Sequence, residues 1–227
     1  MVTHVHLTAA DHAQVSAAVA QAEANTSGEI VTMVARRSDN YHDVGLIWAV
    51  AALFIALAFM AAFPEHLRAF LSTLLADWDH ELTDWKLLTG LFGLLILKFL
   101  IVRYLLTIMP LRLWFTPRAT KVRRVHARAI LLFRAAAEAR TAARTGVLIY
   151  LSLDEHCAEI VADRAISEKV PPEAWGEAMA ALIDHVREDR AAQGMVEAVQ
   201  RVGALLASHF PRTHDDSNEL PDRLIEL

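Results

Sequence analysis

Asp154, Glu155 and Asp163 form the most promising acidic group in the C-terminal half of the chain, within "SLDEHCAEIVAD". Glu29 opens a β-branched run, "EIVTMVAR", in the N-terminal half. Carboxylates are what hard cations such as Ca²⁺ or Mg²⁺ take as ligands, several at a time, and turns at a sheet end can supply them. The strands that carry these acids decide which of them can meet. "GVLIYLSL" is a nearly continuous apolar strand of the kind buried on both faces. "DEH" turns the chain and "CAEIVAD" returns it as an antiparallel partner. Asp154 and Glu155 therefore go to one end of the hairpin and Asp163 to the other, near Gly146. The cluster divides, and Asp163 with Glu29 is the pair expected to matter for any Ca²⁺ or Mg²⁺. The plainer reading of the same residues is a solvated turn in which Arg164 pairs with a carboxylate.

Other candidates carry less. His4 and His6 in "HVH" could give two metal ligands, but they stand in terminal sequence, and the remaining histidines are scattered. Cys157 is the single cysteine, which excludes an internal disulfide and a Cys-rich zinc site. It has no neighbouring base or helix start to activate it, so a small core residue is expected. GxSxG, HExxH, a phosphate loop and a Gly-rich dinucleotide turn are all missing from the sequence. The catalytic residues of any enzyme reading are therefore unknown at this level.

The elements that must position these residues are unusual in their order. "VGLIWAVAALFIALAFMAAF", Val44 to Phe63, has no charged side chain. As a helix it covers roughly 30 Å at about 1.5 Å per residue, the hydrocarbon thickness of a bilayer. "LLTGLFGLLILKFLIVRYLLTIM", Leu87 to Met109, is a second such run, interrupted by Lys98 and Arg103. Arg103 can snorkel to the nearer interface, whereas Lys98 lies near the middle and either faces a partner or marks a shifted span. Between the runs, Leu67, Phe70, Leu71, Leu74, Leu75, Trp78, Leu82 and Trp85 recur at helical spacing. They predict an amphipathic helix lying in the interface plane. Hydrophobic residues make up 55% of the chain, which suits a soluble domain with a few spans. "MVTHVHLTAADH" lacks the basic start and apolar run of a signal peptide, so insertion is expected from internal segments.

Basic residues orient the spans. Arg36 and Arg37 precede the first, and Arg112, Arg118, Lys121, Arg123 and Arg124 follow the second. The segment between has Arg68 and Lys86 against five acids. The positive-inside rule places both termini in the cytoplasm and the short loop outside. The basic run also suits anionic lipid headgroups. With no aromatic interleaving and a net charge of −5, no nucleic-acid partner is expected.

The chain is expected to divide as follows. Residues 1–43 give a helix from Ala9, capped by Thr8, and a first strand; 44–63 and 87–109 are spans around the loop 64–86. Residues 110–211 give a long helix, the hairpin and two further helices, and 212–227 a polar tail. One helix-covered sheet is the simplest architecture, with the membrane unit inserted after its first strand.

"TGVLIYLSLDEHCAEIVADRAISEKVP", then a helix, then "VREDRAAQGMVEAVQRVGALLASHF", resembles the TPM domain family. Gly146 to Leu148 correspond to its "-GVL-" step, Gly194 to a glycine early in its last helix, and "TSGEIVTMVAR" to its opening strand. The resemblance spans about residues 7–40 and 118–210, and it is to the bacterial membrane form with two inserted spans. It departs at "ADRAI", where the family tends to have glycines. The resemblance implies a three-layer α/β/α sandwich interrupted by a two-helix transmembrane hairpin in a bacterial inner membrane. It further implies an accessory role toward a membrane protein complex. Divalent-ion binding and weak acid phosphatase activity are attributed to some members, so a metal-dependent phosphatase is the alternative from another class.

Overall fold

The computed structural model describes residues 7–75, 83–136, 145–212 and 222–227. The chain forms two compact units, one from residues 1–39 with 118–227 and one from Asn40–Pro117.

The first unit is built on a four-stranded mixed sheet, order β3-β2-β1-β4. α1 (Ala9–Glu23) starts at a reciprocal cap: Asp11 N donates to Thr8 Oγ1 at 3.2 Å, and Thr8 N donates to Asp11 Oδ2 at 2.7 Å. β1 (Glu29–Ala35) and β2 (Gly146–Ser152) are buried along their whole length, which is why both are mostly apolar rather than alternating. They pair in parallel, with Glu29 opposite Gly146 and Ala35 opposite Ser152. β3 (Cys157–Ala162) returns antiparallel to β2 through a turn in which His156 takes φ 49°. β4 (Ile225–Glu226) pairs in parallel with Met33 and Val34 on the other edge of β1. The sequence predicts a polar tail ending in a short apolar patch here and no strand, because so short a strand exists by virtue of the edge it meets.

Helices cover both faces. α8 (Pro172–Arg187) and α9 (Ala191–His209) join α1 over Ile30, Val34, Val147, Ile149 and Leu151. α6 (Arg118–Ala136) lays Val125, Ala129 and Phe133 over Val31, Met33, Ala35, Leu148 and Tyr150. Where a turn is expected at "ADRAI", the short α7 (Arg164–Ser167) forms with Asp163 as its N-cap residue. The predicted continuation of the long helix beyond Ala136 lies outside the described residues.

The second unit holds two helices long and apolar enough to cross a membrane, α2 (His42–Ala62) and α4 (Asp84–Leu105). α2 buries Val44, Gly45, Ala49 and Ala56, mostly small residues of the kind that let apolar helices approach. No residue of α4 is buried. α3 (Pro64–Leu75) begins the expected amphipathic helix; Trp78 and Leu82 lie outside the described residues, and Trp85 belongs to α4. The second apolar helix stops at Leu105 rather than Met109, and the separate α5 (Met109–Trp114) follows. Pro110 explains the break: with no N–H and a ring that crowds the preceding turn, it fits the first turn of a new helix and not the interior of an old one.

Candidate functional site

Glu29 and Asp163 come to the same end of the sheet. Glu29 is opposite Gly146, and the Asp163 backbone N–H donates to Gly146 O at 2.9 Å. The Asp163 carboxylate accepts from Gly146 N at 2.9 Å, closing the ladder where β3 ends. Both acids are buried. Among the described residues no group of three or more His, Cys, Asp or Glu is placed to hold a metal ion. A hard cation takes six or more oxygens, so the pair supplies a fraction of a site. Arg164 turns to Glu168, at 2.7 Å on an exposed helix face. His4 and His6 lie outside the described residues.

Asp154 and Glu155 stand at the opposite end, as their place in the hairpin dictates, and they part company there. Asp154 is half-buried, 3.7 Å from Arg36, with its N–H donating to Arg36 O at 2.8 Å. Glu155 is 5% exposed and is the hub of a polar network. Its carboxylate accepts from Ser38 N at 2.8 Å and from the Ser152 hydroxyl. The Ser38 hydroxyl shares a hydrogen bond of 3.0 Å with the buried Tyr150 phenol. Cys157 Sγ donates to Glu155 O at 3.3 Å. The residues come from the exit of β1, the end of β2 and the β2–β3 turn, so the network ties the first strand's exit to the hairpin.

Electrostatics decide what this end can do. Burial pushes the Tyr150 phenol above its ordinary value; the Ser38 hydrogen bond opposes this and the Glu155 charge adds to it. Burial likewise raises the Cys157 thiol, seconded by Glu155 and opposed by Arg118 and Lys121 of α6. Neither group is an activated nucleophile at neutral pH. The arrangement holds a chain exit in place. Its partners were within reach of sequence reasoning only in part: period-two alternation puts Tyr150 and Ser152 on one face of β2. Nothing local points to Ser38.

The basic residues separate by role. Arg124 is 2.7 Å from Asp39 within the α/β unit. Arg118 and Arg123 are exposed and Lys121 half-exposed along the first turns of α6. Arg112, in α5, is 4% exposed and does not face outward. Its Nε donates to Leu106 O at 2.6 Å, and its Nη1 donates to Asn40 O at 2.6 Å and lies 3.3 Å from His42 Nδ1. A buried guanidinium needs such acceptors, and here backbone carbonyls at the ends of the apolar helices provide them. Close by, the Trp48 indole N–H donates to Phe115 O at 3.0 Å, and Trp114 stacks edge-on to Phe115.

Residues 115–205 match the family model of the TPM domain. The fold is similar to the NMR structure of BA42 protein from the psychrophilic bacterium Bizionia argentinensis, with a TM-score of 0.57 at 19% sequence identity. That likeness covers 100% of this chain and 99% of the other. No curated protein matches the sequence.

Proposed function

We propose that the protein is a membrane-anchored TPM-domain accessory factor of a bacterial plasma membrane. Its α/β unit lies in the cytoplasm, binds a membrane protein complex and assists its assembly, maintenance or regulation. α2 and α4 form a transmembrane hairpin inserted after β1. The observation that carries this reading is α4: 22 residues of apolar helix with none buried by its own chain. In water that surface is an open liability, and in a bilayer it is at home. The TPM family match supports the accessory role. The Lys and Arg bias on the 1–43 and 110–128 sides supports cytoplasmic termini.

Two measurements test this. The chain should stay in the pellet through alkaline carbonate extraction. In a Cys157→Ala background, a cysteine at exposed Thr83 should label in intact cells with an impermeant maleimide, and one at exposed Arg164 should label only after lysis. The reverse labelling pattern removes the cytoplasmic assignment, and release by carbonate removes the anchor. The accessory role predicts reproducible co-purification of one membrane complex in gentle detergent, lost when the α/β unit is unfolded by substitution.

A further inference from the structure

We propose that Lys98 marks a docking face for a transmembrane helix of another protein that carries an aspartate or glutamate at the same depth. This rests on the membrane-hairpin reading above.

Lys98 lies well inside α4, about 20 Å from Trp85 and about 10 Å from Leu105 at roughly 1.5 Å rise per residue. It is exposed, and among the described residues it has no hydrogen-bond or ion-pair partner. Arg103, nearer the helix end, is treated differently. It is half-buried and sits across α2, its Nη1 3.6 Å from where a Cβ on Gly45 would stand. The hairpin therefore packs one of its two intramembrane cations against α2, where Nη1 is buried without a hydrogen-bond partner among the described residues, and leaves the other on its outer surface.

Snorkelling is a poor answer for Lys98. Side chains on an α-helix tilt toward its N-terminus. The nearer end of α4 is its C-terminal end, so the natural direction of the Lys98 stem leads toward the bilayer centre. A second copy of this chain is a poor answer too. There is no acid between Val44 and Ala62 or between Trp85 and Leu105, and a symmetric contact would set Lys98 against Lys98. A carboxylate from another helix neutralises the ammonium and supplies the acceptor that lipid tails lack. The surroundings suit a helix: Leu94, Ile101 and Leu105 share the Lys98 face at helical spacing, and Ile101 and Leu105 are exposed.

The test places a benzoylphenylalanine in the full chain, in its own cell membranes, at Ile101 on the Lys98 face or at Leu100 on the opposite face. Irradiation should give a discrete protein adduct from Ile101 and none from Leu100. Lys98→Leu should lower that adduct about threefold to tenfold, the range of one intramembrane polar contact, and Lys98→Arg should keep it. Peptide mapping of the adduct should find a carboxylate in a membrane span of the partner, and replacing it by Asn should lower the adduct as Lys98→Leu does. Adducts to lipid only, to a second copy of the chain, or to a protein indifferent to Lys98→Leu overturn the proposal. Carbonate extraction separates the failures. A chain held in the pellet with lipid-only adducts defeats this inference alone, and a chain released by carbonate defeats the anchor reading with it.

Discussion

Removing residues 1–39 should unfold the α/β unit even though α6 to α9 and the β2–β3 hairpin remain. β1 is an interior strand of the sheet, flanked by β2 and β4. Ile30, Val31, Met33 and Val34 are all at most 4% exposed, and each fully buried side chain of this size contributes about 1.5–3 kcal/mol. Their loss alone is therefore about 6–12 kcal/mol. Val15 and Val19 of α1, both fully buried against the same core, add to it. A domain has about 5–15 kcal/mol of net stability, so little or nothing is left. The deletion also strips β2 of seven paired positions and leaves its backbone groups open. The fragment 118–227 should show no cooperative melt by calorimetry and collapsed amide dispersion by NMR. Joining 1–39 to it should restore both. The Asp39–Arg124 ion pair, at 2.7 Å, brings the cut ends close, since Arg124 is only about 9 Å into α6 at the helical rise. A Gly/Ser linker of about eight residues spans roughly 16 Å and suffices. If 118–227 alone melts as sharply and at the same temperature as the joined unit, β1 is an appendage and the reasoning fails.

Three further outcomes follow from the two sheet ends. Glu155→Ala removes the acceptor of Ser38 N–H and the Ser152 hydroxyl and should cost about 3–4 kcal/mol, read as a Tm about 6–16 °C lower; Glu155→Gln, which keeps an acceptor, should lose less than half of that, and equal losses would deny the network its role. Asp163→Ala leaves buried Gly146 N–H without its carboxylate and should cost about 1–3 kcal/mol, unchanged by millimolar Ca²⁺ or Mg²⁺; a penalty that grows when the ion is present would instead support Glu29 and Asp163 as ligands. The raised Tyr150 and Cys157 values mean the fold prefers both groups protonated, so their contribution is complete below the ordinary thiol and phenol values, near pH 9 and 10, and is lost as pH rises from there through the raised ones. Urea titrations at pH 7 and pH 11 should show that loss for wild type and less of it for Tyr150→Phe, and equal losses would refute the assignment.

What was legible in the sequence is what local chemistry determines. Thr8 announces the start of α1, and its partner in the reciprocal cap, Asp11, lies within the same turn. β1 and β2 are legible because burial on both faces leaves no polar alternation to confuse them. The placement of Asp163 and Glu29 at one sheet end follows from strand direction, since an antiparallel return must end where its partner began. The missed parts are those in which a residue is defined by a distant neighbour. Ser38 and Glu155 are 117 residues apart, and their hydrogen bond exists only because the parallel pairing of β1 and β2 sets one strand's exit beside the other's turn. β4 is a strand only because Met33 and Val34 offer it an edge. Arg112 is the sharpest case. Its sequence context is a run of cations beside an apolar helix, which suits lipid headgroups. Its structural context is two backbone carbonyls left over where α4 ends and α2 begins, and an arginine meets them because its fork reaches both at once. Charge count could not separate Arg112 from Arg118. Helix-end geometry does, and by the same geometry Lys98, about 10 Å short of the α4 end, meets no such carbonyl among the described residues.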